Sequence, residues 1–136
     1  MISGFVSILL AEDSAGDVFL VRRALKQHGI DFDLNVVTDG QEAVQLLDRI
    51  DGDASVAPPN LVLLDLNLPR RDGAQILTRL RQSPKLAGTK VVILTSSDSA
   101  RDRETLLDLG ADEYFRKPTD LASFMKLGEV VRRILG

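Results

Sequence analysis

Five side chains in this sequence could do chemistry together if one sheet brought them to the same edge. Glu12 and Asp13 follow the apolar run FVSILLA (5–11), Asp65 ends LVLLD (61–65), Thr95 ends KVVILT (90–95) and Lys117 ends DEYFRK (112–117). An apolar strand that continued into a core would not finish on a carboxylate, so Asp65 marks a place where the core stops. Three carboxylates drawn together repel, by roughly 4 kcal/mol for a pair about 4 Å apart at an effective dielectric near 20. A divalent cation relieves that repulsion. An all-oxygen set with no imidazole or thiolate selects a hard ion, Mg²⁺ or Mn²⁺. Lys117 supplies a second positive charge beside Asp65, and Thr95 a neutral hydroxyl. A carboxylate held between a metal and an ammonium can attack phosphorus, with the two cations neutralising the phosphoryl oxygens in the transition state.

The elements that must position these groups read as an alternation. The runs at 5–11, 33–37 (DLNVV), 61–65, 90–95 and 112–117 are short and apolar, as buried strands are. Between them lie helical patterns. Ser14 caps a helix with Val18, Val21 and Leu25 on one face, ending near Gly29. Asp39 and Glu42 form a D-x-x-E capping box ahead of Ala43, Leu47 and Ile50. DGDASVAPPN (51–60) reads as a surface loop. A third helix runs from about 73 to 82 with Ile76, Leu77 and Leu80 inward, stopped by Ser83-Pro84. A fourth carries Leu106, Leu107 and Leu109 up to Gly110, and the last lines up Phe124, Leu127, Val131 and Ile134. Five strands alternating with five helices predict an α/β domain, doubly wound, with a parallel sheet covered on both faces. In such sheets sites form beyond the carboxyl ends of the strands. Strands one, three, four and five all end there in polar groups, whereas the second, ending Val37-Thr38-Asp39, offers only a cap.

Bulk properties exclude several classes. A chain of 136 residues fits one domain. The net charge of −3 and pI near 5.1 give no field for a polyanion, so no nucleic acid partner is expected. There is no cysteine, which removes disulfides and thiolate chemistry. No apolar run approaches the roughly 18 residues of a membrane helix, and the N-terminus lacks a basic leader, so a cytoplasmic protein without membrane contact is expected. His28 is the only histidine and stands near a helix C-terminus, where a structural or solvent role fits.

AEDS at 11–14, LLDLNLPRRDG at 63–73, ILTS at 93–96 and KP at 117–118 resemble, in that order, the receiver domains of two-component response regulators. AEDSAGDVFLVRRAL, VVTDGQEAV, the Pro-rich loop before the third strand and LDLNLPRRDG are similar in particular to the single-domain regulators that serve bacterial phytochrome kinases. The resemblance spans the chain from the first strand to the last helix. It implies the flavodoxin-like, CheY-like order 2-1-3-4-5 for the five parallel strands. It implies that Asp65 is a phosphoacceptor supplied by a sensor histidine kinase, a phytochrome in the nearer comparison. Asp13 would coordinate Mg²⁺ directly, Glu12 through water, and Asn67 by its backbone carbonyl. Thr95 would be the switch hydroxyl and Lys117 the partner of a phosphoryl oxygen, with a cis bond to Pro118. Tyr114 would swing inward as Thr95 moves.

Plainer readings exist for each residue taken alone. Glu12-Asp13 could serve a helix dipole, Tyr114 could be packing in the fifth strand, and Arg70-Arg71 reads as a solvated loop. Two other functions compete. Phosphatases with an aspartyl nucleophile resemble D-x-D-x-T, and here Asn67 stands where their acid/base aspartate would be. A pseudo-receiver that binds partners without phosphorylation loses the acceptor, the acid pocket or the lysine, and all are present here. The expectation is a single receiver domain over 1–136, not an enzyme and with no output domain. It would signal by protein contact, as a symmetric homodimer through the fourth helix, fifth strand and fifth helix.

Overall fold

Alternation along each strand divides the core into two halves. The computed structural model describes residues 5–69, 72–97 and 99–136. Arg70 and Arg71, read above as a solvated loop, lie outside the described residues. The strands are β1 (Val6–Ala11), β2 (Phe32–Val37), β3 (Leu61–Asp65), β4 (Lys90–Thr95) and β5 (Glu113–Arg116). All pairings are parallel, in the order β2-β1-β3-β4-β5. The helices are α1 (Ala15–Gln27), α2 (Gly40–Gly52), α3 (Gly73–Arg81), α4 (Ala100–Asp108), α5 (Leu121–Phe124) and α6 (Leu127–Leu135). The fifth helical stretch is thus divided at Met125 and Lys126.

Leu9, Val62, Leu64, Val91 and Ile93 face α2 and α3, packing on Ala43, Leu47, Ile76, Leu77 and Leu80. Ile8, Leu10, Leu61, Leu63, Val92 and Leu94 face the other way, onto Val21, Leu25, Phe124, Leu127 and Val131. With both faces covered, β3 is buried at all five positions, which is why LVLLD shows no polar alternation. β2 is an edge strand and alternates half-buried with exposed residues.

The helix signals behave as their chemistry requires. Ser14, Asp39, Asp72, Ser99 and Asp120 each accept the backbone N–H three residues on. Gly29 and Gly110 follow helices with φ of 69° and 112°, where a Cβ would be strained. On α4 the expected stripe is narrower than the sequence implied. Leu106 is buried, while Leu107 is 38% exposed, because the helix offers the sheet one apolar line and Leu107 sits 100° away from it.

The break between α5 and α6 follows from packing on α1. A Cβ at Gly128 would stand 2.1 Å from His28 Cδ2 and 2.6 Å from the Ala24 carbonyl, so only glycine lets these helices approach so closely. His28 Nε2 meets the Met125 carbonyl at 3.0 Å, at the interruption itself. The lone histidine is accordingly structural.

Candidate functional site: an acidic pocket around one lysine

The carboxyl ends of β1, β3, β4 and β5 meet at one edge, and register explains why. Ala11 pairs with Leu64, Asp65 with Leu94 and Thr95 with Arg116. Glu12, Asp65, Thr95 and Lys117 therefore leave the sheet at nearly the same level. Glu12 is 1% exposed, Asp65 6% and Thr95 0%, whereas Asp13 is exposed. Oxygen atoms of Glu12, Asp13 and Asp65 lie within 4.8 Å of one another, a grouping able to hold a metal ion. An all-carboxylate cluster of this span fits a hard divalent cation, which would remove the repulsion that three anions create.

Asp65 is held on both sides. Its Oδ1 accepts the Asn67 N–H at 3.0 Å, and its Oδ2 accepts from Lys117 Nζ at 3.1 Å. Leu66 and Gly73 meet beside Asp65, the Gly73 N–H donating to the Leu66 carbonyl at 3.0 Å. A Cβ at Gly73 would fall 2.9 Å from Leu66 Cα and 3.1 Å from the Asp65 carbonyl, so the glycine is needed for this approach. Asn67 is exposed beside the acidic group, and its side chain makes it no acid.

Lys117 is the hub. Its amide donates to the Thr95 carbonyl at 2.6 Å, and its ammonium reaches Glu12 Oε2 at 2.6 Å, Asp17 Oδ2 at 2.8 Å and Asp65 Oδ2 at 3.1 Å. Burial disfavours the ammonium, but the bonds to Asp17 and Glu12 and the charge of Asp65 outweigh it, and the Lys117 pKa is raised. Burial pushes the Glu12 carboxyl up to about 7, although Lys117 and the Ser14 N–H favour its charged form.

Asp17 was not anticipated from the sequence. An acid in the first turn of a helix has a sufficient local explanation in the helix dipole, and nothing in its spacing points a hundred residues ahead to Lys117.

The Lys117–Pro118 bond departs from expectation. No cis peptide occurs among the described residues, so it is trans. The trans form is favoured by about 0.5–1 kcal/mol in X–Pro bonds. Here the amide and ammonium of Lys117 both find their partners without the cis geometry.

Thr95 and Tyr114 are joined through one residue. Thr95 Oγ1 accepts the Ser97 N–H at 3.1 Å, and the Tyr114 hydroxyl donates to the Ser97 carbonyl at 3.1 Å. Tyr114 is 9% exposed, with the Arg103 guanidinium 5.9 Å above its ring. The Tyr114 ring is thus buried in this structure, with its hydroxyl held by the Ser97 backbone.

A doubly wound 2-1-3-4-5 sheet with an acidic pocket and a lysine at its carboxyl edge is the arrangement of a receiver-type signalling module. The chain belongs to the response regulator receiver domain family, whose sequence profile matches residues 8–128. It is 39% identical over 121 residues to the response regulator Rcp1 of Synechocystis sp., covering 88% of this chain and 82% of that protein. The phosphorylated cyanobacterial phytochrome response regulator RcpA superposes with a TM-score of 0.85 at 30% identity, over 97% of this chain and 94% of the other. The Mn²⁺-bound form of Rcp1 does so at 0.81 and 35%, over 93% and 91%. The phytochrome likeness noted in the sequence is met again in RcpA, a phytochrome response regulator by name. No helix is long and apolar enough to cross a membrane among the described residues.

Proposed function

We propose that this chain is a single-domain response regulator that accepts one phosphoryl group on Asp65. One observation carries the reading: a buried carboxylate stands 3.1 Å from a lysine ammonium, with ligand oxygens of two further carboxylates within 4.8 Å. In the transfer, the phosphorus–nitrogen bond of a kinase phosphohistidine breaks and a bond forms from phosphorus to an Asp65 oxygen. The released imidazole nitrogen keeps the electron pair and takes a proton from solvent. Lys117 donates to a phosphoryl oxygen and Thr95 turns its hydroxyl toward another. Asp13, Asp65, the Asn67 carbonyl and, through water, Glu12 are the groups that would hold Mg²⁺ or Mn²⁺. When bound, that ion supplies charge neutralisation for the phosphoryl oxygens.

Asn67 argues against the competing phosphatase reading, since it cannot protonate a leaving group. Intact Asp13, Asp65 and Lys117 argue against a pseudo-receiver. Rcp1 and RcpA, the latter a phytochrome response regulator by name, support a phytochrome kinase as the donor. Phosphotransfer profiling against the purified histidine kinases of the host tests this. Transfer to this chain fastest from a phytochrome kinase is expected, and fastest transfer from an unrelated kinase would overturn that partner assignment.

Output is proposed to leave by the face of α4, β5 and α5–α6 in a symmetric homodimer in the cytoplasm. The Ser97 backbone ties Thr95 to Tyr114, so movement of the hydroxyl is transmitted to that face. Leu107 and Leu121 are exposed on it, 38% and 46%. A difference of a few kcal/mol between two states suffices to shift the population. Sedimentation at several concentrations, with and without beryllofluoride and Mg²⁺, should show a dimer that tightens with the phosphoryl analogue. A monomer in both states at high concentration would refute it.

A further inference from the structure

An ammonium has three N–H donors, and three carboxylates are bonded to that of Lys117: Glu12, Asp17 and Asp65. Glu12 and Asp65 belong to the pocket by strand register. Asp17 comes from inside α1, and the reading above gives it no part.

Its ordinary local duty would be to close a capping box. Asp72 and Gln75 do this at the start of α3, where each side chain takes the other's backbone N–H. At the start of α1 only half the box forms. The Asp17 N–H donates to Ser14 Oγ at 3.2 Å, but the Ser14 N–H donates to Glu12 Oε1 at 3.1 Å. With that N–H taken by Glu12, the Asp17 carboxylate is turned across the pocket to Lys117, whose side chain is only 11% exposed. The exchange costs the helix no cap and gives the lysine a third anchor.

We propose that Asp17 is a positioning residue for Lys117. Glu12 and Asp17 fix two of the three N–H bonds, which aims the third at Asp65. The lysine has four rotatable side-chain bonds, and the Glu12 and Asp17 carboxyl groups hold its head where a phosphoryl group on Asp65 will need it. This rests on the proposal that Asp65 is the phosphoacceptor.

The test is a double-mutant cycle. Wild type, Asp17→Ala, Lys117→Met and the double variant are compared for acetyl phosphate labelling rate at saturating Mg²⁺. Beryllofluoride affinity, by calorimetry, gives a second readout should labelling of the Lys117→Met background be too slow to follow. Asp17→Ala should weaken both by roughly tenfold, the scale of one charged hydrogen bond. In the Lys117→Met background it should change either by less than about twofold. Asp17→Glu should restore part of the loss. Asp17→Asn keeps an acceptor at the same place and should fall between, and far-UV circular dichroism verifies that each variant is folded. A folded Asp17→Ala as active as wild type, or an equal loss with and without Lys117, would overturn the proposal. Absence of wild-type labelling, or labelling that survives Asp65→Asn, would instead overturn the phosphoacceptor reading on which it rests.

Discussion

Glu12→Gln should make the metal-free protein more stable, and the gain should depend on pH. Glu12 is 1% exposed, and burial raises its carboxyl from 4.5 to about 7. The folded chain therefore keeps a proton that the unfolded chain has lost. Glu12's own contribution to stability is therefore greatest below about 4.5, declines as pH rises to about 7, and is level above that. At 1.36 kcal/mol per pH unit, a window of 2.5 units corresponds to about 3 kcal/mol of destabilisation once Glu12 is charged. Glutamine mimics the protonated acid in size and in having one acceptor oxygen for Lys117 or Ser14. The variant should escape the loss, being about 2–3 kcal/mol more stable than wild type near pH 8.5 and equal to it near pH 4. Urea unfolding in a chelator, followed by far-UV circular dichroism because the chain has no tryptophan and one tyrosine, is the assay. With a slope of about 1.5 kcal/mol per molar, the midpoint gap should be about 1–2 M at the higher pH. Saturating Mg²⁺ should narrow the gap, since a ligand that binds only the folded chain stabilises wild type by mass action. A variant no more stable than wild type near pH 8.5, or a gap that does not close toward pH 4, would refute this reasoning.

Asp13→Ala should weaken Mg²⁺ binding strongly by calorimetry, while stability in chelator stays level or rises, because one member of a repelling group is gone; a clear loss of metal-free stability would count against the acidic pocket as described. Gly128→Ala should destabilise by about 1–3 kcal/mol or more in urea, since the new Cβ meets the His28 ring and the rigid Ala24 carbonyl; an unchanged midpoint would show that α1 and α6 can separate without cost.

The strands were readable because burial on both faces leaves runs such as LVLLD and KVVILT with no polar interruption, and Asp65 and Thr95 then mark where burial ends. Register did the rest, bringing Glu12, Asp65, Thr95 and Lys117 together without any local signal. β2 began one residue earlier than its apolar run, at Phe32, since an edge strand tolerates the half-exposed alternation that blurs its start. The interruption between α5 and α6 left no mark, because it depends on His28 and Gly128 meeting across 100 residues. Asp17 was hidden for the opposite reason: its local explanation was adequate, and only the diversion of the Ser14 N–H to Glu12 reveals that it serves Lys117. The cis bond at Pro118 came from resemblance alone, and the pocket is formed here with the trans bond. Leu107 illustrates a narrower limit, since three leucines in four residues cannot all face one sheet.

Incubation with acetyl phosphate and Mg²⁺, read by intact mass and by peptide mapping, addresses Asp65 most directly. Wild type should gain a single phosphoryl group on the peptide containing Asp65, labile to base as an acyl phosphate is, and chelator should prevent the gain. Asp65→Asn should remain unmodified under the same conditions. Stoichiometric, persistent labelling of Asp65→Asn would contradict the assignment and place the acceptor elsewhere.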